Sequence, residues 1–291
     1  MIAVTTAVDG RTLLADATGR LSAAFVPTSD VDAELLLGHV LGLGRGELQA
    51  RLITGLVVDE QAAASYDRFI ERRAAREPLQ HITGVAPFRS LELAVGPGVF
   101  VPRPETEGVA QIAIDALRAV VDPSPLAVDL GTGSGAIALS LAHEVPHARV
   151  IGVENAVEAF IWARGNRDRL GLENARIVFD DIARALPEFD GTVSVVVSNP
   201  PYIPSAAVPR DPEVRLYDPP SALYGGEDGL EVVRSLSATA RRLLRAGGVL
   251  VIEHGELQGA EIRALLSGDG WRGATTQRDL TGRDRSTVAV R

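Results

Sequence analysis

Asn199-Pro200-Pro201-Tyr202 closes the apolar run at residues 193–198. Neither proline has a backbone N–H, and each biases its predecessor towards extended geometry, so the turn presents oxygens with no competing donors of its own. The Asn199 side-chain oxygen and the Pro200 carbonyl can accept both hydrogens of a planar –NH2, whether a carboxamide or an exocyclic base amine. Tyr202 can lie against the adjoining π-face. A nitrogen of that kind is a poor nucleophile because its lone pair is delocalised. Acceptors that draw on its hydrogens as charge develops stabilise the transition state more than the ground state, so no side-chain base is obligatory. The plain alternative for these residues is a strand-ending turn and nothing more.

A second motif favours the chemical reading. The apolar stretch Ala127-Val128-Asp129-Leu130 enters Gly131-Thr132-Gly133-Ser134-Gly135, and apolar residues at Ile137, Leu141 and Val145 continue at helical spacing. Glycines allow close backbone approach, and a helix N-terminus offers free N–H groups to a carboxylate or phosphate. Gly133, Gly135 and Ala138 also satisfy the loose dinucleotide pattern, so the loop alone specifies only a nucleotide-like ligand. A strand at residues 148–153 ends at Glu154, about 20 residues beyond the glycines, where an acid can grip ribose hydroxyls; a charge favouring a helix dipole is its structural alternative. A strand at 175–179 ends at Asp180-Asp181, and a strand at 192–197 delivers Asn199.

Strands alternating with helices imply a parallel sheet whose ligands lie beyond the carboxyl ends near the switch point, so these loops should face one crevice. Before residue 78 the pattern is helical, at 11–25, 31–41, 46–52 and 60–76. Pro78 breaks the last helix. Residues 89–95 and 99–101 read as a hairpin across Gly96-Pro97-Gly98, and a helix at 104–121 with Pro at its start leads into the sheet. A helix at 230–244, a strand at 249–253, a helix at 258–266 and strands near Thr275 and at 287–290 complete the alternation, with an antiparallel closing strand. The predicted organisation is an N-terminal helical domain over 1–77, a hairpin linker over 78–103 and an α/β domain over 104–291. The Pro- and Asp-rich stretch 205–227 is long enough to act as a lid.

The loop from Asp129 to Gly135, with Glu154, Asp181 and Asn199-Pro200-Pro201-Tyr202 in that order, resembles a class I S-adenosylmethionine-dependent methyltransferase acting on a planar nitrogen. Pro78-Leu79-Gln80-His81-Ile82-Thr83-Gly84, the run from Phe100 to Glu107, Asp218-Pro219-Pro220-Ser221-Ala222-Leu223 and Glu253-His254-Gly255 narrow the likeness to the HemK/PrmC proteins, the peptide chain release factor N5-glutamine methyltransferases. The resemblance implies a Rossmann-like domain with a mostly parallel sheet. It implies S-adenosyl-L-methionine as methyl donor, S-adenosyl-L-homocysteine as product, and the glutamine of the Gly-Gly-Gln motif of class I release factors as acceptor. It carries cofactor contacts onto Gly131, Thr132, Gly133, Ser134, Gly135, Glu154, Asp181, Ile182 and Asn199. The substrate clamp falls on Asn199, Pro200, Pro201 and Tyr202, of which Asn199, Pro200 and Tyr202 are the catalytic candidates. The N-terminal helices would dock the release factor. Two positions depart from the pattern: the ribose acid is Glu where Asp is commoner, and Ile182 stands where an aromatic often covers adenine.

At 291 residues with 46% apolar composition, the chain can bury a small and a larger core. It has no cysteine, which excludes disulfides, thiolate nucleophiles and Cys-ligated metal. His143 and His147 share one predicted helical face but lack a third ligand, so no metal is expected. No membrane-length apolar run and no secretory leader pattern are present, and a cytoplasmic monomer is expected. The net charge of −9 argues against autonomous nucleic-acid binding, and all 29 basic residues are Arg. Arg72, Arg73 and Arg76, interspersed with Glu71 and Glu77, read as a solvated helix face. The rival functions are a methyltransferase acting on an exocyclic amine of adenine or guanine in nucleic acid, and a non-catalytic nucleotide-binding protein.

Overall fold

The computed structural model describes residues 7–291, which form two compact units: the chain up to Gly84 together with Pro209–Tyr217, and Val85–Val208 together with Asp218–Arg291. The first contains β1 (Val8–Asp9), α1 (Gly10–Ala23), α2 (Ser29–Leu41), α3 (Arg45–Ile53), β2 (Val57–Val58), α4 (Glu60–Ala74) and α5 (Leu79–Thr83). Asp9 and Asp59 cap α1 and α4 by accepting from the backbone N–H groups of Thr12 and Ala62. Leu21, Leu36, Leu37, Leu48 and Ile70 are fully buried in its core, and the Tyr66 hydroxyl reaches the Ala33 carbonyl at 3.0 Å. Truncating any one of these leucines to alanine costs about 2–5 kcal/mol.

The basic face expected on α4 is only partly solvated. Arg72 remains accessible and pairs with Glu77. Arg73 is buried, with Nε donating to Asp32 at 2.7 Å and a second nitrogen 2.8 Å from Glu213. Arg76 embraces the same Glu213 carboxylate at 2.8 and 2.5 Å. The residue that neutralises this cluster lies 137 positions from Arg76, beyond the reach of any helical periodicity.

The second unit opens with β3 (Val85–Phe88) and β4 (Leu91–Ala94), an antiparallel pair with Phe88 opposite Leu91. The hairpin therefore turns at Arg89-Ser90 and not at Gly96-Pro97-Gly98, and residues 99–101 form no strand. Arg89 adopts a left-handed φ of 53°, a conformation that only a Gly or Asn would signal in sequence. Long-range bonds hold it there: its backbone N–H and its guanidinium bind Glu107 and Glu144 at 2.9 and 2.5 Å.

The remaining elements are α6 (Pro104–Arg118), β5 (Leu126–Leu130), α7 (Ala136–Glu144), β6 (Arg149–Glu154), α8 (Val157–Leu170), β7 (Ala175–Phe179), β8 (Val193–Ser198), α9 (Pro212–Tyr217), α10 (Pro220–Leu223), α11 (Glu231–Leu243), β9 (Leu244–Glu253), α12 (Gly259–Gly268), β10 (Arg272–Arg278) and β11 (Asp284–Val290). Seven strands form one sheet in the order β10-β11-β9-β8-β5-β6-β7. Strands β9, β8, β5, β6 and β7 are mutually parallel, while β11 and β10 close the edge antiparallel. The order reverses between β5 and β8. Apolar clusters cover both faces, α6 and α7 contributing to one and α11 and α12 to the other, as the fully buried, mostly apolar strands Leu126–Leu130 and Val193–Ser198 require.

Helix α7 ends at Glu144, so His147 lies beyond it and the expected two-histidine face does not form. Residues 205–227 contain two short helices, and α9 belongs to the helical unit through the Glu213 pairs. Among the described residues no helix is long and apolar enough to cross a membrane.

Candidate active site

The strand register brings the singled-out residues to one edge of the sheet. Leu130 pairs with Val153, Glu154 with Phe179, Asp129 with Val197 and Ser198 with Ile252. Gly131, Glu154, Asp180, Asn199 and Glu253 thus stand at the carboxyl ends of five adjacent parallel strands, with Gly131 and Asn199 on either side of the switch point. Ser198 fastens that junction by donating to the Leu130 carbonyl at 2.5 Å.

The glycine loop is shaped from beneath by Asp129. One carboxylate oxygen accepts from the Thr132 hydroxyl at 2.6 Å and from the Ala138 N–H at 3.1 Å, and the other has no partner among the described residues. Burial pushes this carboxyl up to about 7, with the two hydrogen bonds pulling down and Glu154 adding to the rise. Above it, Gly133 holds φ +57 and nothing lies within 4 Å of where a Cβ would stand. The loop is therefore an open backbone cradle leading into the N-terminus of α7.

Glu154 binds the cradle directly. One oxygen accepts from the Gly133 N–H at 2.8 Å, and the other accepts from Asn155 and Ala156 at 2.9 Å each. It thus satisfies backbone donors before α8 and also touches the glycine loop. Three N–H groups occupy three of about four acceptor positions on a carboxylate. Ile182 lies beside the loop, its Cδ1 3.6 Å from the position a Gly131 Cβ would take. Asp181 accepts from the Ala183 N–H at 2.8 Å.

On the far side of the junction, Asn199 is half-buried and its Nδ2 donates to Thr106 Oγ1 of α6 at 3.3 Å. That bond commits the NH2 to α6. Tyr202 is half-buried; burial first, and Glu253 second, push its phenol up to about 12, so it stays protonated. Its backbone carbonyl accepts from Gln258 Nε2 at 2.9 Å, while Gln258 Oε1 accepts from the Gly255 N–H at 3.0 Å.

The segment after α10 packs directly on this turn. Ile203 donates to the Leu223 carbonyl and accepts from Gly225, both at 2.9 Å. A Cβ on Gly229 would stand 2.4 Å from the Tyr202 carbonyl oxygen, so only glycine allows that approach. Arg103, stacked 4.9 Å from the Phe100 ring, binds the buried Asp218 at 2.5 Å and joins two of the sequence motifs. Gly229 and Gln258 carried no signal in the sequence, and Thr106 stood out only as part of the run from Phe100 to Glu107, with no role. Glu253 stood out only as part of Glu253-His254-Gly255, with no role.

Glu253 is 2% exposed, and its Oε2 has no partner among the described residues. Burial pushes its carboxyl up to about 7, while neighbouring Thr106 and Asn199 and the charge of Arg285 oppose the rise. The neighbouring His254 is depressed by burial; its ring nitrogens meet the Gly255 carbonyl at 2.8 Å and Thr287 Oγ1 at 2.9 Å.

Family models match residues 12–84 as PrmC N-terminal domain and residues 126–280 as Methyltransferase domain. The release factor glutamine methyltransferase of Streptomyces coelicolor is 49% identical over 280 residues, covering 95% of this chain and 96% of that protein. The 4-amino-L-phenylalanine/4-methylamino-L-phenylalanine methyltransferase of Streptomyces pristinaespiralis is 42% identical over 285 residues, covering 96% and 94%. Among solved structures, the Thermus thermophilus 16S rRNA N2 G1207 methyltransferase aligns with TM-score 0.53 at 22% identity over 71% of this chain and 49% of that one, a likeness of fold.

Proposed function

Because the chain belongs to the release factor glutamine methyltransferase family, we propose that it methylates the side-chain amide nitrogen of the glutamine in the Gly-Gly-Gln motif of class I release factors, with S-adenosylmethionine as donor. The observation that carries this reading is the placement of an open glycine cradle and an acceptor-only turn on either side of one switch point.

The residues present fit the donor. The cradle over Gly133 is unobstructed, Glu154 retains an acceptor position for a ribose hydroxyl, and Ile182 provides an apolar wall beside Gly131. When bound, the donor supplies an electrophilic methyl on a sulfonium. The chain's own part is to bind, orient and desolvate. Asn199 Oδ1 and the Pro200 carbonyl each accept one hydrogen of the glutamine amide. The two bonds fix the nitrogen and strengthen as it becomes positive on taking the methyl from sulfur, after which one of its hydrogens leaves to solvent to give the neutral N-methyl amide. Tyr202 lies against the amide plane, and its phenol, held protonated, takes no proton from it. Holding the reactants in line can lower such a barrier by roughly 7–11 kcal/mol. The helical unit, which displays exposed Phe25, Ile53 and Val57, is proposed to dock the release factor.

A second reading has a specific observation in its favour. The relative named for 4-amino-L-phenylalanine shares nearly the whole length of this chain, and an aromatic amine suits the same turn. The test is transfer of labelled methyl in parallel to a release factor, its Gln→Ala variant in Gly-Gly-Gln, 4-amino-L-phenylalanine and total RNA and DNA. Label confined to the unaltered factor is expected; label on the amino acid or on nucleic acid, with none on the factor, would overturn the substrate assignment.

A further inference from the structure

Gln258 stands at the N-cap of α12, yet its side chain makes no capping hydrogen bond to that helix. Glutamine is not among the residues that cap helices well, so the start of α12 does not account for it. The amide is directed instead at the turn after β8. Nε2 donates to the Tyr202 carbonyl, 56 positions away in sequence, at 2.9 Å, and Oε1 accepts from the Gly255 N–H at 3.0 Å. A carbonyl only accepts and a backbone N–H only donates, so the two partners dictate which end of the amide faces which. Gly255 is held from its other side as well. Its carbonyl accepts from the Gln258 N–H at 3.0 Å and from Nδ1 of the buried His254 at 2.8 Å, while His254 Nε2 meets Thr287 Oγ1 of β11 at 2.9 Å. The turn at residues 255–258 is therefore fastened to the sheet before it reaches Tyr202. Two glycines permit the approach. A Cβ on Gly229 would stand 2.4 Å from the Tyr202 carbonyl oxygen and 3.0 Å from Gln258 Nε2, and a Cβ on Gly255 would stand 3.0 Å from Gln258 Oε1 and 3.7 Å from Tyr202 Cδ2.

We propose that Gln258 is a positioning residue for the methyl transfer, setting the Tyr202 ring against the acceptor by tying the Tyr202 backbone to the 255–258 turn. The peptide that joins Tyr202 to Ile203 is planar, so holding both of its polar groups fixes the whole plane. Its N–H donates to the Leu223 carbonyl at 2.9 Å on one side, and its carbonyl accepts from Gln258 on the other. With the plane fixed, the Cα–Cβ direction of Tyr202 is fixed too, and the ring comes to rest beside Gly255. Without Gln258 the carbonyl end is free to turn and carries the ring with it. A displacement of about 1 Å in a group that orients a reactant can cost about 10²-fold in rate.

This role rests on the proposed N-methylation, in which Tyr202 lies against the acceptor. A residue that merely closed its own turn would need only Oε1, whereas the bridge needs Nε2, and two variants separate the ends of the amide. Gln258→Glu keeps an oxygen for the Gly255 N–H but sets an oxygen against the Tyr202 carbonyl. Gln258→Met keeps the volume and loses both bonds. Methyl transfer to an intact release factor is measured above neutrality, where the introduced carboxyl is ionised. Both variants should lose about 10–10²-fold in kcat, with KM for the release factor and donor Kd within about threefold of wild type. A wild-type kcat in Gln258→Glu, with a fall in Gln258→Met alone, would overturn the proposal. A second readout needs no acceptor. Tyr202-Ile203 is the only Tyr-Ile pair in the chain, so labelling with 13C-carbonyl tyrosine and 15N isoleucine gives a single carbonyl–amide cross-peak, that of the bridged peptide. The cross-peak should move in both variants, and an unmoved cross-peak in Gln258→Glu would likewise overturn the proposal. If wild type methylates no acceptor, the substrate assignment fails while the cross-peak still decides whether Gln258 holds Tyr202.

Discussion

Replacing Asn199 by alanine separates catalysis from architecture, because the structure assigns the side chain little of the latter. Its one protein bond, to Thr106, is 3.3 Å long, at the weak end of hydrogen-bond geometry. Losing it should cost about 0.5–1.5 kcal/mol of stability. The backbone of the turn is held independently by the Ile203–Leu223, Gly225–Ile203 and Gln258–Tyr202 bonds, so the loop should keep its course. The loss in the transition state is larger. One acceptor to a developing positive charge is comparable to one oxyanion-hole donor, about 3–4 kcal/mol, which corresponds to 10²–10³ in kcat. Single-turnover methyl transfer at saturating donor, beside calorimetric donor binding and a urea melt, measures all three quantities. The expected result is a fall of about 10²–10³ in rate, with donor Kd within about threefold of wild type and little lost stability. A near-normal rate would refute the clamp, and a proportionate collapse of stability would show that Asn199 serves the fold.

Glu154→Ala removes the acceptor that ties Gly133 to β6; donor affinity by calorimetry should fall at least about tenfold, about 1.4 kcal/mol, and an unchanged Kd would count against a ribose contact. Glu213→Gln should destabilise the helical unit by about 3 kcal/mol in urea, because Arg73 is left buried without its full complement of charge. Burial raises Glu213, but hydrogen bonds from Arg76 and Arg73 outweigh it and hold the carboxyl at about 2. Its stabilisation is accordingly complete above the unfolded value near 4.5 and should disappear as pH falls towards 2, an acid-side loss that Glu213→Gln should abolish. Asp129 has the opposite sign: burial lifts it from 3.8 to about 7, so the native state holds its proton longer than the unfolded chain and stability falls as pH rises across that window. Asp129→Asn should flatten this slope, worth at most about 4 kcal/mol, and an unchanged slope would contradict the shift.

The parallel core of the fold was legible because its signals are local. Mostly apolar strands, a glycine turn and helical spacing after Ala136 each fall within a dozen residues. Wherever the decisive partner is distant, the sequence is silent. The turn at Arg89 is imposed by Glu107 and Glu144, and the buried state of Arg73 by Asp32 and Glu213. His147 escaped the predicted helix because α7 stops at Glu144 before Pro146, and a proline two residues on makes such a stop unsurprising. At the site, residues that present themselves to a ligand were readable from chemical type. Those packed behind the turn were not: Thr106 belongs to a helix pattern that looks structural until α6 is brought against the turn after β8.

The central claim is an assignment of one nitrogen in one motif. The most direct measurement is tandem mass spectrometry of a class I release factor after incubation with the protein and S-adenosylmethionine, mapping any added methyl to a single side chain. One methyl on the amide nitrogen of the Gly-Gly-Gln glutamine, absent when Asn199→Ala replaces the wild type over the same interval, is the predicted result. An unmodified glutamine, or a methyl carried on any other residue, would contradict it.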